Sequence, residues 1–167
     1  MPKRRVYIIG VGSIANSRIQ TIGKLPIDEL ETHVSDNNPI VLQQFKERFS
    51  SVIPHQDTLS MLAEPAWEND IVIVCTPPVS HCSVTLQALE SKRHVLCEKP
   101  LAMNQEESRS MLAKAREVEK LLGCRNESLV ACIMSDGFTE GKVRDPVLLL
   151  GPIELGVSIV SRVVVVF

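Results

Sequence analysis

The fold of this chain is decided by the stretch Val6-Tyr7-Ile8-Ile9-Gly10-Val11-Gly12-Ser13-Ile14-Ala15 near its start. A short apolar run enters the G-x-G-x-x-G/A pattern of a dinucleotide-binding strand, turn and helix. Gly10 permits the sharp turn, Gly12 leaves room for a pyrophosphate, and Ala15 lets the helix pack close to the sheet. A diphosphate would then bind the unpaired N–H groups at the helix start, where the helix dipole favours an anion.

Two further features separate this pattern from an ordinary glycine turn. It stands at the start of the chain, where the first βα unit of such a fold belongs. Asp36 lies 21 residues beyond Ala15 and ends a predicted strand, close to the spacing of about 20 expected of a ribose-binding acid. The alternative for Asp36 is a cap on the helix that begins at Pro39.

Composition narrows the class of protein. The chain has 167 residues, enough for one domain with a substantial core. The net charge of −2 and 4% aromatic content disfavour a nucleic-acid partner. The five cysteines are odd in number and form no Cys-x-x-Cys motif, so disulfides are not expected. A reducing, cytoplasmic location is expected instead. Within apolar runs, Cys75 and Cys97 are expected to be core residues.

Strand-like and helix-like segments alternate along the chain, which predicts an α/β protein with a parallel sheet. The expected strands are residues 6–9, 32–35, 52–53, 71–75 and 94–97. The expected helices are residues 13–25, 39–49, 58–63, 79–90 and 105–122, the last with a capping box of Asn104 and Glu107 and a C-terminal cap at Gly123.

The two ends of the chain differ from this pattern. Lys3-Arg4-Arg5 is expected to be solvated, because the apolar run behind it is too short for a signal peptide. Residues 1–124 form one predicted domain, and residues 125–167 form a divergent apolar tail with one or two extra strands, at 129–134 and 158–167. Charges interrupt the tail, so a membrane anchor is disfavoured and self-association through the tail is the expected hazard.

Two later motifs carry a family resemblance. Cys75-Thr76-Pro77-Pro78-Val79-Ser80-His81 follows one core strand, and Glu98-Lys99-Pro100 follows the next. Together with the glycine motif, they make residues 4–124 resemble the glucose–fructose oxidoreductase and inositol dehydrogenase family, Gfo/Idh/MocA. The resemblance implies a Rossmann-type doubly wound parallel sheet and an NAD(P)-dependent oxidoreductase. Its reaction would be hydride transfer to or from a sugar, polyol or related small hydroxy compound.

The same resemblance assigns residue roles. Lys99 is the implied catalytic residue, a member of the proton relay that also reaches the nicotinamide ribose and loses its proton readily when partly desolvated. The implied cofactor-binding residues are Gly10, Gly12, Ser13, Ile14, Ala15, Asp36, Thr76, Pro77, His81, Glu98, Lys99 and Pro100, with a cis peptide before Pro100. NAD is favoured over NADP because a carboxylate at position 36 repels a 2′-phosphate.

Plainer interpretations stay open beside these roles. His81 could pack or cap at a helix start, Glu98 could be a surface acid instead of orienting Lys99, and Lys99 could be a surface lysine. The other histidines are read as surface or strand-end residues without metal-ligand spacing, so no metal site is expected: His33, His55 and His94.

The sequence departs from the family after residue 124. The resemblance implies a second, substrate-binding domain, for which residues 125–167 offer no matching segment, and the tail is expected to have the character of a truncated, alternatively spliced or frame-shifted product. Hydride transfer needs a substrate that is positioned and shielded from water. The alternative functions are therefore a non-catalytic dinucleotide-binding or regulatory module and an inactive truncated product.

Overall fold

A computed structural model gives the structure of the protein. It describes residues 4–24 and 30–126, together with the backbone of five strands beyond them. Strands β1 to β6 span Arg4–Ile9, Leu30–Ser35, Ile53–His55, Ile71–Val74, His94–Cys97 and Leu122–Asn126. Helices α1 to α5 span Ser13–Ile22, Pro39–Arg48, Thr58–Leu62, His81–Glu90 and Gln105–Glu117, and a 3₁₀ turn at Pro78–Ser80 precedes α4.

The first six strands form one parallel sheet in the order β3-β2-β1-β4-β5-β6, and β7 (Leu129–Ile133) pairs antiparallel with β6. The strand order reverses between β1 and β4, which pair from Val6↔Ile71 to Ile9↔Val74. This confirms the doubly wound parallel sheet. Because open α/β sheets bind ligands where the order reverses, the carboxyl ends of β1 and β4 are the expected place for a site.

Two hydrophobic cores cover the two faces of the sheet. One is built on α1 and α2 and includes Ile8, Ala15, Phe45 and Ile73. The other is built on α3, α4 and α5 and includes Leu62, Val72, Leu89 and Met111. The continuous apolar runs of β1 and β4 follow from this covering, since each strand buries both its faces.

The C-terminal end of α5 corrects the sequence prediction. The helix ends at Glu117, not Leu122, and Glu119 stands in the left-handed region with φ +54°. The Glu119 N–H bonds the Arg116 oxygen (3.2 Å) and the Lys120 N–H bonds the Ala115 oxygen (3.0 Å), a Schellman motif without glycine. The predicted cap Gly123 lies instead within β6, opposite Leu96 of β5.

The predicted sixth strand at 129–134 is therefore the seventh, β7. Short strand pairs follow it: β8 (Phe138–Thr139) with β9 (Lys142–Val143), and β10 (Val157–Val160) with β11 (Val163–Val166). The rest of the tail, including the proposed surface for self-association, lies outside the described residues, so the predicted boundary at residue 124 stays a prediction. Across the described helices, none combines the length and apolar content that a membrane crossing requires.

A buried ionic network at the amino ends of β1 and β4 is a second correction. Arg5, expected to be solvated, is buried and donates to both oxygens of Asp70, at 3.1 Å and 2.6 Å. Arg93 is fully buried, and its Nε lies 3.4 Å from the same carboxylate. Asp70 thus gives both buried arginines an anionic partner, as buried charges require.

Candidate functional site

A cleft of about 830 Å³ opens at the carboxyl ends of β1 and β4, where the strand order reverses. Its volume lies within the usual range for small-molecule sites. Seven of the predicted cofactor-binding residues line it: Gly10, Gly12, Ser13, Ile14, Asp36, Thr76 and Pro77. Segments that are far apart in the sequence therefore meet around one cavity.

Gly10 forms the turn at the floor of the cleft, and only glycine fits there. Its φ is +86°, in the left-handed region. A Cβ at this position would lie 2.9 Å from the carbonyl carbon of Cys75 and 2.9 Å from the amide nitrogen of Thr76. Both contacts are with backbone atoms, which cannot move aside as a side chain could.

Gly12 has the opposite surroundings. A Cβ built on it meets nothing within 4 Å, so the space above it is open. Gly12 is also the N-cap of α1, which has no side-chain cap and no acid in its first turn. Asn38 and Asn104, by contrast, cap α2 and α5. The start of α1 therefore leaves its amide donors available to an anionic ligand. We call these donors and the open space above Gly12 the Gly12 cradle.

Ala15 lies behind the Gly12 cradle, on the side of α1 that packs against the sheet. It is completely buried in the core beneath α1, where its small side chain lets the helix approach the sheet. Ser13 and Ile14 are exposed at the first turn of the helix. Of the residues in the glycine motif, Ala15 thus has a packing role, and its neighbours face the cleft.

Asp36 points its carboxylate toward the glycine turn. One oxygen accepts the Val11 N–H at 2.9 Å and the other accepts the Asn38 N–H at 2.8 Å. The helix cap that was the alternative role belongs to Asn38, whose side chain accepts the Ile40 and Val41 N–H groups. A carboxylate has about four acceptor positions, so Asp36 retains capacity for the hydroxyls of a ribose.

His81 holds the other wall of the cleft together. It is 1% exposed; its Nδ1 lies 2.6 Å from the Pro100 carbonyl oxygen and its Nε2 lies 2.8 Å from that of Thr76. The ring thus ties the segment after β4 to the segment after β5. His81 is packed in the interior, which is the alternative that the sequence left open beside cofactor binding. It is not among the residues that line the cavity.

Thr76 contributes an unsatisfied polar atom to this wall. Its Oγ1 is buried without a hydrogen-bond partner among the described residues, while the residue itself lines the cleft. A buried hydroxyl without a partner is costly. An open Gly12 cradle, an uncapped helix start and an orphaned hydroxyl around one cavity fit a polar, anionic ligand such as a dinucleotide.

Glu98 has a partner that the sequence reasoning missed. Arg18 of α1 donates from Nε to Glu98 Oε1 at 2.5 Å, and both side chains are buried. The pair joins α1 to the segment that carries Lys99. Arg18 falls on the buried stripe of α1 with Ala15, Ile19 and Ile22, so helical periodicity could have marked it as a charge in need of a partner.

The next two residues, Lys99 and Pro100, are exposed and joined by a cis peptide bond, as the resemblance implied. The partial desolvation expected of Lys99 is not present in this structure. Cys75 also lines the cleft, and burial, reinforced by the Glu98 charge, raises the pKa of its thiol to about 12. Cys75 is therefore a neutral thiol at physiological pH and no nucleophile.

The fold and this cleft define a dinucleotide-binding α/β protein. Residues 4–125 match the oxidoreductase family with an NAD-binding Rossmann fold, Gfo/Idh/MocA. The chain belongs to that family, and the resemblance drawn from its motifs is confirmed.

Two of the curated relatives are sugar or polyol dehydrogenases. The chain is similar to D-glucoside 3-dehydrogenase of Escherichia coli, with 36% identity over 119 residues, 71% of this chain and 33% of the relative. It is also similar to myo-inositol 2-dehydrogenase of Thermotoga maritima, with 25% identity over 118 residues, 71% of this chain and 34% of the relative. The chain thus spans about a third of the length of these relatives.

Two solved structures that contain a nicotinamide cofactor are also similar to this chain. The WlbA dehydrogenase from Chromobacterium violaceum, in complex with NADH and UDP-GlcNAcA, matches with TM-score 0.66 and 31% identity over 74% of this chain and 35% of its own. A 3-ketoreductase from Actinomadura kijaniata, in complex with NADP, matches with TM-score 0.64 and 28% identity over 74% and 38%. Both nicotinamide cofactors therefore occur among the structural relatives.

Proposed function

We propose that this chain binds NAD in the cleft between β1 and β4 and is the cofactor-binding part of an oxidoreductase acting on a sugar, a polyol or a related hydroxy compound. The observation that carries the proposal is the juxtaposition of the Gly12 cradle, the uncapped start of α1 and the Asp36 carboxylate. The cofactor, when bound, supplies hydride transfer.

Each group of residues has a distinct task in this proposal. The amides of Ser13 and Ile14 bind the pyrophosphate, and the Asp36 carboxylate accepts the hydroxyls of the adenosine ribose. Thr76 Oγ1 and Pro77 line the path toward the nicotinamide. His81, Glu98 and Pro100 hold the second wall, and Lys99 Nζ exchanges a proton with the substrate hydroxyl.

The preference for NAD over NADP rests on the charges around Asp36. Its carboxylate repels a 2′-phosphate, and the two residues after it, Asn37 and Asn38, are neutral. The ammonium group of the next basic residue, Lys46, donates hydrogen bonds to the carbonyl oxygens of Ser50 (2.6 Å) and Val52 (2.5 Å). This side chain is therefore engaged at the end of α2 and, within the described part of the chain, is not available to a 2′-phosphate.

The relatives support a sugar or polyol substrate, since D-glucoside 3-dehydrogenase and myo-inositol 2-dehydrogenase are named for such compounds. A cytoplasmic location is supported by the free thiols of Cys75, Cys82 and Cys97. Lys99 is exposed in this chain, which favours a second candidate, a dinucleotide-binding module that does not turn over a substrate by itself. Mixing the chain with NAD and polyols and following NADH absorbance separates the two.

Titration with NADH and with NADPH tests the cofactor assignment. The unmodified chain should bind NADH more tightly than NADPH. Asp36→Ala should weaken NADH binding and reduce the difference between the affinities for NADH and NADPH. Glu47→Gln is the matched control, because Glu47 is an exposed carboxylate on α2 that accepts a hydrogen bond from Gln43 of its own helix. Equal affinity of all three proteins for NADH would refute the role of Asp36, and no binding of either nucleotide would refute the proposal.

A further inference from the structure

Three side chains that lie far apart in the sequence meet on the face of the sheet that packs against α3. His33 belongs to β2, His55 ends β3, and Glu64 follows α3. One ligand atom from each lies within 4.8 Å of the other two. His33 Nδ1 and His55 Nε2 are 2.9 Å apart. This group, which we call the His33–His55–Glu64 cluster, is separate from the cleft described above.

His33 contradicts the expectation of a surface or strand-end residue. It is 4% exposed and lies between two rings, with centroid distances of 4.7 Å to Tyr7 and 5.1 Å to His55. Its Nε2 is buried and has no hydrogen-bond partner among the described residues. Such an atom is costly to bury. It is distinct from Nδ1, which lies next to His55 and is the nitrogen that could share an ion with it.

The charges around the cluster are suited to a cation. Glu64 contributes one carboxylate, and an oxygen of Glu31 lies 3.8 Å from His33 Nε2. The nearest opposing charge is Arg5, whose Nη1 is 3.6 Å from Glu64. Arg5 also bonds both carboxylate oxygens of Asp70, which it shares with Arg93, so Glu31 and Glu64 together supply the negative charge at the cluster.

We propose that the His33–His55–Glu64 cluster binds a divalent transition-metal ion, with zinc as the best match. Two imidazole nitrogens and one carboxylate oxygen are a donor set that zinc takes in proteins, with water as a fourth ligand. Two nitrogens on a tetrahedral zinc stand about 3.3 Å apart, so the His33–His55 contact has to open only slightly. His55 and Glu64 are half-buried, which gives the ion a route from solvent.

Cobalt(II) titration of the purified, reduced chain tests this site, since Co²⁺ replaces Zn²⁺ and reports its ligands by absorption. We expect about one equivalent to bind with the visible bands of a four-coordinate ion, to be displaced by Zn²⁺ and to raise the thermal unfolding temperature. His55→Ala and Glu64→Gln should each lower the affinity by at least about tenfold, as loss of a ligand requires.

Two variants serve as matched controls. His94→Gln removes an imidazole and Glu68→Gln a carboxylate outside the cluster, and both should bind Co²⁺ as the unmodified chain does. Glu64→Gln, at a half-buried residue of the otherwise exposed loop after α3, remains decisive if His55→Ala does not fold. The proposal is overturned by the absence of stoichiometric binding, by binding that persists in Glu64→Gln, or by cobalt–thiolate charge-transfer bands, which would place the ion on the cysteines.

Discussion

The two glycines of the first turn should respond in opposite ways to the same added methyl group. In Gly10→Ala the new Cβ would lie 2.9 Å from two backbone atoms, at a φ of +86°. In Gly12→Ala it would enter open space at a φ of −73°. We therefore expect Gly10→Ala to damage the fold and Gly12→Ala to leave the fold intact while it narrows the cradle for the diphosphate.

The size of each effect follows from these surroundings. Left-handed backbone costs an alanine about 1–2 kcal/mol, and overlap with fixed backbone atoms adds about 1–3 kcal/mol. Gly10→Ala should thus lower the free energy of unfolding by about 2–5 kcal/mol, or roughly 4–20 °C in Tm for a protein of this size. At Gly12, the poorer N-cap and the stiffer unfolded chain oppose each other, and the net change should stay within about 1 kcal/mol.

Thermal unfolding followed by circular dichroism measures the first effect, and NADH titration below the unfolding transition measures the second. Gly12→Ala should weaken NADH binding by at least about tenfold, or about 1.4 kcal/mol, and the larger side chain of Gly12→Val should weaken it further. Full NADH affinity in Gly12→Val, or a loss of stability in Gly12→Ala equal to that in Gly10→Ala, would refute the assignment of the open space to a ligand.

Three other perturbations test the interior of the fold. Arg18→Met leaves the buried Glu98 carboxylate unpaired and should lower the free energy of unfolding in urea by about 3–5 kcal/mol, whereas Arg18→Met/Glu98→Leu should lose clearly less; equal losses would count against a buried pair. Burial, assisted by the Lys120 charge, lowers the pKa of His94, whose Nδ1 accepts the Leu121 N–H at 3.1 Å. The unfolded state then binds a proton that the folded state does not, so stability should fall as pH drops through about 6.5; a His94→Gln variant with the same pH slope would contradict this. Burial raises the pKa of Cys97 to about 12, although a Thr85 hydrogen bond acts in the opposite direction. Mass spectrometry should therefore find Cys97 unalkylated by iodoacetamide at pH 8 until urea is added. Rapid labelling of the folded chain would show instead that the thiol is open to solvent.

The cofactor half of this fold was predictable because its information is local. A glycine that must adopt positive φ, a small residue that must lie under a helix and an acid at the end of the second strand each have a requirement tied to a position in the sequence. The positive φ of Gly10 and the open space above Gly12 meet these backbone requirements, while the roles of Gly12 and Asp36 toward a cofactor stay predictions. The end of α5 was not predictable in the same way, because Glu119 replaces the glycine that normally marks such a helix end.

What only the tertiary structure decided is which distant side chains meet. Arg18 and Glu98 are 80 residues apart, and Arg5 and Asp70 are 65 apart. No spacing rule connects such pairs, because the strand order of the sheet, not the order of the chain, makes them neighbours. His33 and His55 are likewise brought together by the pairing of β2 with β3. Local backbone requirements thus fixed the class of protein in the sequence, while the partners of its buried charges depended on the packing of the sheet.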